Sequence, residues 1–119
     1  MRYALLICTE DKQQAEMTEA EAGTQMAGYM AWGEEMGGRG VLQAGERLKP
    51  SATATTVRVR DGETLTTDGP FAETKDQLGG FYLVDCKDLD EAIEVAARIP
   101  DVRRGSIEIR PIMEVEMSS

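Results

Sequence analysis

Tyr3-Ala4-Leu5-Leu6-Ile7-Cys8 and Phe81-Tyr82-Leu83-Val84-Asp85-Cys86 decide the fold. Side chains alternate between the two faces of a strand, and in these stretches both alternating sets are apolar. Tyr3, Leu5 and Ile7 oppose Ala4, Leu6 and Cys8 in the first; Phe81 and Leu83 oppose Tyr82, Val84 and Cys86 in the second. Strands of this kind are covered on both sides, so the pattern predicts two central strands that pair with each other.

Working outward, Thr18-Glu19-Ala20-Glu21 reads as a capping box, and Ala22, Met26, Tyr29, Gly33 and Met36 then recur at helical spacing. This predicts a helix over about residues 19–37, ended by Gly37-Gly38. Val41 to Leu48 reads as a strand closed by Pro50, and Thr53 to Arg60 with Glu63 to Thr67 flank Asp61-Gly62 as a β-hairpin. Beyond the second central strand, Asp88 caps a helix over about residues 89–99 with Glu91 at its third position. Leu89, Ala92, Ile93, Ala96 and Ile99 form its stripe, and Pro100 stops it. Ser106 to Met117 alternates as a last strand, with Pro111 tolerated at an edge or bulge.

The order strand, helix, strand, inserted hairpin, strand, helix, strand predicts a ferredoxin-like α+β fold, βαββαβ with an inserted β-hairpin. Two helices cover one sheet face, while the central strands supply apolar side chains to both. A second copy is the simplest cover for the other face, because a twofold interface needs one self-complementary patch and apolar burial is worth about 25 cal/mol per Å². A homodimer through the sheet faces is therefore expected.

At 119 residues the chain fits one domain spanning 1–119. Its 41% apolar and 29% charged residues describe a folding chain rather than a disordered one. With 13 Lys and Arg against 22 Asp and Glu, the net charge of -9 repels phosphate backbones, so direct nucleic-acid binding is not expected. Cys8 and Cys86 lie in apolar runs and read as core thiols, too few for a secreted disulfide framework. The apolar start is too short for a signal segment and no stretch reaches membrane-spanning length, so a soluble, cytoplasmic protein without membrane association is expected.

Thr67-Asp68-Gly69-Pro70-Phe71-Ala72-Glu73-Thr74-Lys75 joins turn chemistry to an aromatic ring and charged groups, and Gly79-Gly80 follows closely. With Leu78-Gly79-Gly80-Phe81-Tyr82 and Gly105-Ser106-Ile107-Glu108-Ile109-Arg110-Pro111, this stretch resembles the YCII-related family, and within it the DGPF subgroup. The three blocks stand in the right order, and the likeness covers nearly the whole chain. The resemblance implies a dimeric α/β-barrel fold and leaves biochemistry open, since fold constrains function weakly. Some members of the wider family look like small lyases or dehalogenating enzymes using a His and Asp pair; this chain has no histidine, so that mechanism does not transfer. The subgroup also looks associated with extracytoplasmic-function sigma factors, which implies a regulatory link.

Without histidine, acid/base chemistry near neutral pH falls to Asp68, Glu73, Lys75 or Tyr29. Asp68 is the first catalytic candidate if its loop desolvates it, and otherwise a turn cap. Glu73 and Lys75 either orient a ligand or form a solvated pair, and Phe71 is the apolar element of the same loop. Arg110 either holds a carboxylate in a dimer cleft or pairs with Glu108 or Asp85. Tyr29 and Trp32, three apart on the first helix, either line a pocket or pack on the sheet. The glycines do not form a phosphate loop, and two isolated cysteines with scattered carboxylates do not make a transition-metal set, so no metal and no cofactor are expected. Two functions remain: a non-catalytic binding or regulatory module, or alternatively a small-molecule enzyme of the lyase or isomerase kind with a pocket at the Asp68 loop.

Overall fold

The computed structural model describes residues 1–115. In chain order its elements are β1 (Arg2–Glu10), a short helix α1 (Asp11–Ala15), α2 (Glu19–Gly38), β2 (Leu42–Arg47), β3 (Thr55–Arg60), β4 (Glu63–Asp68), β5 (Asp76–Asp85), α3 (Leu89–Ala97) and β6 (Ser106–Pro111). The main sheet is antiparallel in the order β2-β5-β1-β6, the ferredoxin-like arrangement, with the two strands apolar on both faces at its centre.

One face of that sheet is the core wall. Tyr3, Leu5, Ile7 and Val84 are buried there against Trp32 and Met36 of α2 and Ala92, Val95 and Ile99 at α3 and its end. The opposite face carries Ala4, Leu6 and Cys8 of β1 beside Leu83 and Phe81 of β5, all half-buried within a single chain. Between Ile7 and Cys8 the register shifts: Ile7 pairs with Gly80 and Cys8 with Leu78, so Gly79 is the extra residue of a β-bulge.

The helices form where the caps place them. Thr18 Oγ1 accepts from the Glu21 amide at 3.1 Å while the Glu21 carboxylate accepts from the Thr18 amide at 3.0 Å. These bonds, backbone first, hold Glu21 below the usual carboxylate range. The inward face of α2 differs from the expected stripe: Ala22 and Met26 are exposed, while Gln25, Gly28, Tyr29, Trp32 and Met36 turn inward. The cause is long-range, since Gly28 lets the helix close on Pro100 and the inward Gln25 meets the buried carboxylate of Asp101. In α3, Val95 takes the core position while Leu89 and Ile93 face outward, and the helix ends at Ala97. A 3-10 turn, Pro100–Arg103, follows, with proline at its start where no amide hydrogen is needed. The last strand is shorter than expected: the chain leaves the sheet after the Ile112 amide bonds the Arg2 carbonyl, and Met113 and Val115 are exposed. Glu116 and Met117, expected in that strand, lie outside the described residues.

β3 and β4 form the expected hairpin as a separate two-stranded sheet, turning at Asp61 (φ 50°) and Gly62 (φ 77°), the paired positive angles of a type I′ turn. This arm projects. The molecule measures 49 × 48 × 20 Å with a radius of gyration of 16.6 Å, against about 13.5 Å for a compact chain of this length. Among the described residues, no helix is long and apolar enough to cross a membrane.

Candidate functional site

The loop after β4 is built on one glycine. Gly69 has φ 101°, an angle that side chains rarely adopt. Its amide donates to the Ala54 carbonyl at 2.7 Å, and its carbonyl accepts from Thr56 Oγ1 at 2.8 Å. This turn lays Pro70 and Phe71 over the Thr56 and Arg58 face of the arm. The Arg58 guanidinium carbon sits 5.5 Å from the Phe71 ring centroid, within cation–π range. Phe71 nevertheless remains 79% exposed. The loop is then stitched by Gln77, whose side-chain amide donates to the carbonyls of Ala72 (2.8 Å) and Thr74 (3.0 Å).

Beneath the loop runs a cleft of about 440 Å³, wide open to solvent. Its polar lining includes Glu10, Asp11, Lys12, Ser51, Glu73 and Lys75. Asp11 accepts from both the amide and the hydroxyl of Ser51, pinning α1 to the start of the arm. Lys75 Nζ, itself exposed, lies 4.0 Å from Glu10 Oε2, a pair of small energetic weight. Glu73 and Lys75 therefore share the cleft, with Gly69 and Pro70 on its rim. Asp68 stands exposed at the end of β4 and does not line it.

The remaining residues singled out in the sequence lie elsewhere. Trp32 is buried, with Nε1 donating to the Val95 carbonyl at 3.0 Å and its ring 4.4 Å from that of Tyr82. It is part of the core and not of a pocket wall. Arg110 is exposed on the outer sheet face and pairs with Glu108 at 3.4 Å, and does not line the loop cleft.

Tyr29 belongs to a cluster that sequence reading did not find. Asp101, only 6% exposed, accepts from Tyr29 Oη at 2.5 Å, from Gln25 Nε2 at 2.6 Å and from Gln14 Nε2 at 3.1 Å. One carboxylate thus ties α1, α2 and the 3-10 turn together. Burial, then the bond to Asp101, pushes the Tyr29 hydroxyl far above the ordinary phenol range, and burial followed by Asp101 also raises Tyr82. Neither phenol is a base near neutral pH. No signal in the sequence pointed to it, because the expected stripe left Gln25 off the inward face of α2 and the carboxylate meets its partners only in the folded chain.

The cysteines are equally unsuited to nucleophilic work. Burial, then Glu108 and Asp76, raises the Cys8 thiol, while burial, then Glu91, raises Cys86. Among the described residues no group of three His, Cys, Asp or Glu side chains is placed to hold a metal.

These elements define a ferredoxin-like α+β protein with a projecting hairpin arm and a signature loop folded on the arm's base. The chain belongs to the YCII-related family, whose domain it matches over residues 1–116. It is also 39% identical over 114 residues to an uncharacterised protein of Rhizobium meliloti (strain 1021), covering 94% of this chain and 92% of the relative.

Proposed function

We propose that the chain is a non-catalytic binding module of the DGPF type, working as a homodimer and presenting its signature loop to a partner protein. Phe71 is the observation that carries this reading: an aromatic ring 79% exposed, held by Arg58 on a stitched loop, is arranged to be met from outside. The open cleft beside it favours the same reading over catalysis, since it does not exclude water from an acid or base. The half-buried outer sheet face, with Ala4, Leu6, Cys8, Phe81 and Leu83, supports self-association. The resemblance suggests the partner class, an extracytoplasmic-function sigma factor, which makes the module regulatory and cytoplasmic.

Binding to the purified sigma factor of the source organism, read by biolayer interferometry, tests the proposal. Wild type and Asp68→Asn are expected to bind alike, and Phe71→Ala at least tenfold more weakly. A Phe71→Ala variant with unchanged affinity removes the loop from the interface, and a wild type that does not bind removes the sigma-factor partner.

A further inference from the structure

The two faces of the arm are treated differently by the chain. In an antiparallel pair, opposite residues share a face, so Thr56, Arg58 and Leu65 lie on one side while Val57, Val59, Thr64 and Thr66 lie on the other. The first side receives the signature loop, through the Thr56 bond to Gly69 and the stacking of Phe71 on Arg58. On the second side Val57 and Val59 are each 59% exposed. A two-stranded hairpin is marginal alone in water, and neither strand packs broadly on another helix or strand among the described residues.

We propose that the Val57 and Val59 face of the arm lies on a second copy of this chain, so that two arms clasp the dimer. The inference rests on the homodimer proposed above and adds where its interface extends. Area argues for the second copy. Four strands about 4.8 Å apart, paired over about six residues of about 3.4 Å each, give an outer sheet face of about 400 Å². That is half of the roughly 800 Å² per partner that a stable interface buries. One face of the arm covers about 200 Å² by the same spacing. Laid on the partner, it buries that area of itself and as much of the surface beneath, and twofold symmetry repeats both, bringing each protomer to about 800 Å².

Charge points the same way. A chain of net charge -9 repels its own copy wherever charged surfaces meet. The bare arm face offers two valines and two threonines in its middle, and charges enter the bare face only at its base, with Asp68 opposite Thr55. A flat, 20 Å thick protomer with such an arm at its side has the shape for embracing a twin.

The test uses the full chain with p-benzoylphenylalanine in place of Val59, prepared as an equal mixture of nitrogen-14 and nitrogen-15 protein. Irradiation is expected to give a covalent dimer whose mapped peptides join the two isotopes. Cross-links confined to one chain, in a protein that light scattering finds dimeric, overturn the clasp and leave the dimer standing. A wild type that is monomeric at micromolar concentration overturns the dimer itself, and the clasp with it. The double variant Val57→Thr, Val59→Thr keeps the β-branched shape and is expected to dissociate at least tenfold more readily; unchanged dissociation also overturns the clasp.

Discussion

Replacing Asp101 by alanine removes the acceptor shared by Tyr29, Gln25 and Gln14, whose donors lie 2.5, 2.6 and 3.1 Å from the carboxylate oxygens. A buried donor left without an acceptor costs about 1–3 kcal/mol. All three bonds are partly buried, which places each near the lower end and the sum at about 3–5 kcal/mol. For a chain of 119 residues each kcal/mol lowers the melting temperature by about 4 °C. Thermal unfolding followed by circular dichroism should therefore show a loss of about 12–20 °C. Asp101→Asn keeps an oxygen for the two glutamines and loses the charge; it should cost about 1–2 kcal/mol, or roughly 4–8 °C. An alanine variant melting within about 2 °C of wild type, well below the scale set above, would refute the reasoning, because the carboxylate would then contribute nothing to joining α1, α2 and the 3-10 turn.

Two further outcomes follow from the same geometry. Because the Tyr29 hydroxyl is raised above its unfolded value of about 10, its contribution is fully present below that pH and is lost as pH rises towards the folded value. Urea midpoints measured from pH 8 to 11 should fall for wild type and fall less steeply for Tyr29→Phe; equal slopes would contradict the assignment. Gly69→Ala forces a side chain into φ 101° and should cost about 1–2 kcal/mol while freeing the loop, seen as faster amide exchange at position 69 and at Phe71. Unchanged exchange would mean that the turn does not depend on that angle.

The fold was legible because its determinants are local or periodic. The alternation in Tyr3–Cys8 and Phe81–Cys86, the Thr18 to Glu21 box and the Asp61-Gly62 turn each specify an element through neighbouring residues, and each element is where it was expected. The rotation of α2 was not legible, because it depends on Gly28 meeting Pro100 across 72 positions of chain. Likewise Val95 displaced Ile93 from the core of α3, a choice between two apolar neighbours that periodicity alone leaves open. The signature loop was visible by its residue types, and Glu73 and Lys75 both line one cleft. Asp101 was not visible, because its partners Gln14, Gln25 and Tyr29 come from two other elements and carry no joint signature in the sequence.

The bulge at Gly79 works as a phase shift between the core and the signature loop. Leu78 and Phe81 are three positions apart, yet both lie on the outer face, opposite Cys8 and Leu6. An uninterrupted strand would give them opposite faces. Removing Gly79 would straighten β5 and leave Leu78 opposite Cys8 on the outer face, whereas pairing Gly79 through one residue inserted between Ile7 and Cys8 would turn the preceding part of β5 over, sending Leu78 inward and re-aiming the loop that begins at Gly69. Natural variants of this chain should therefore tolerate loss of Gly79, or length changes between Gly69 and Asp76, far better than a single insertion between Ile7 and Cys8, since only the latter reverses what the protein shows to its surroundings.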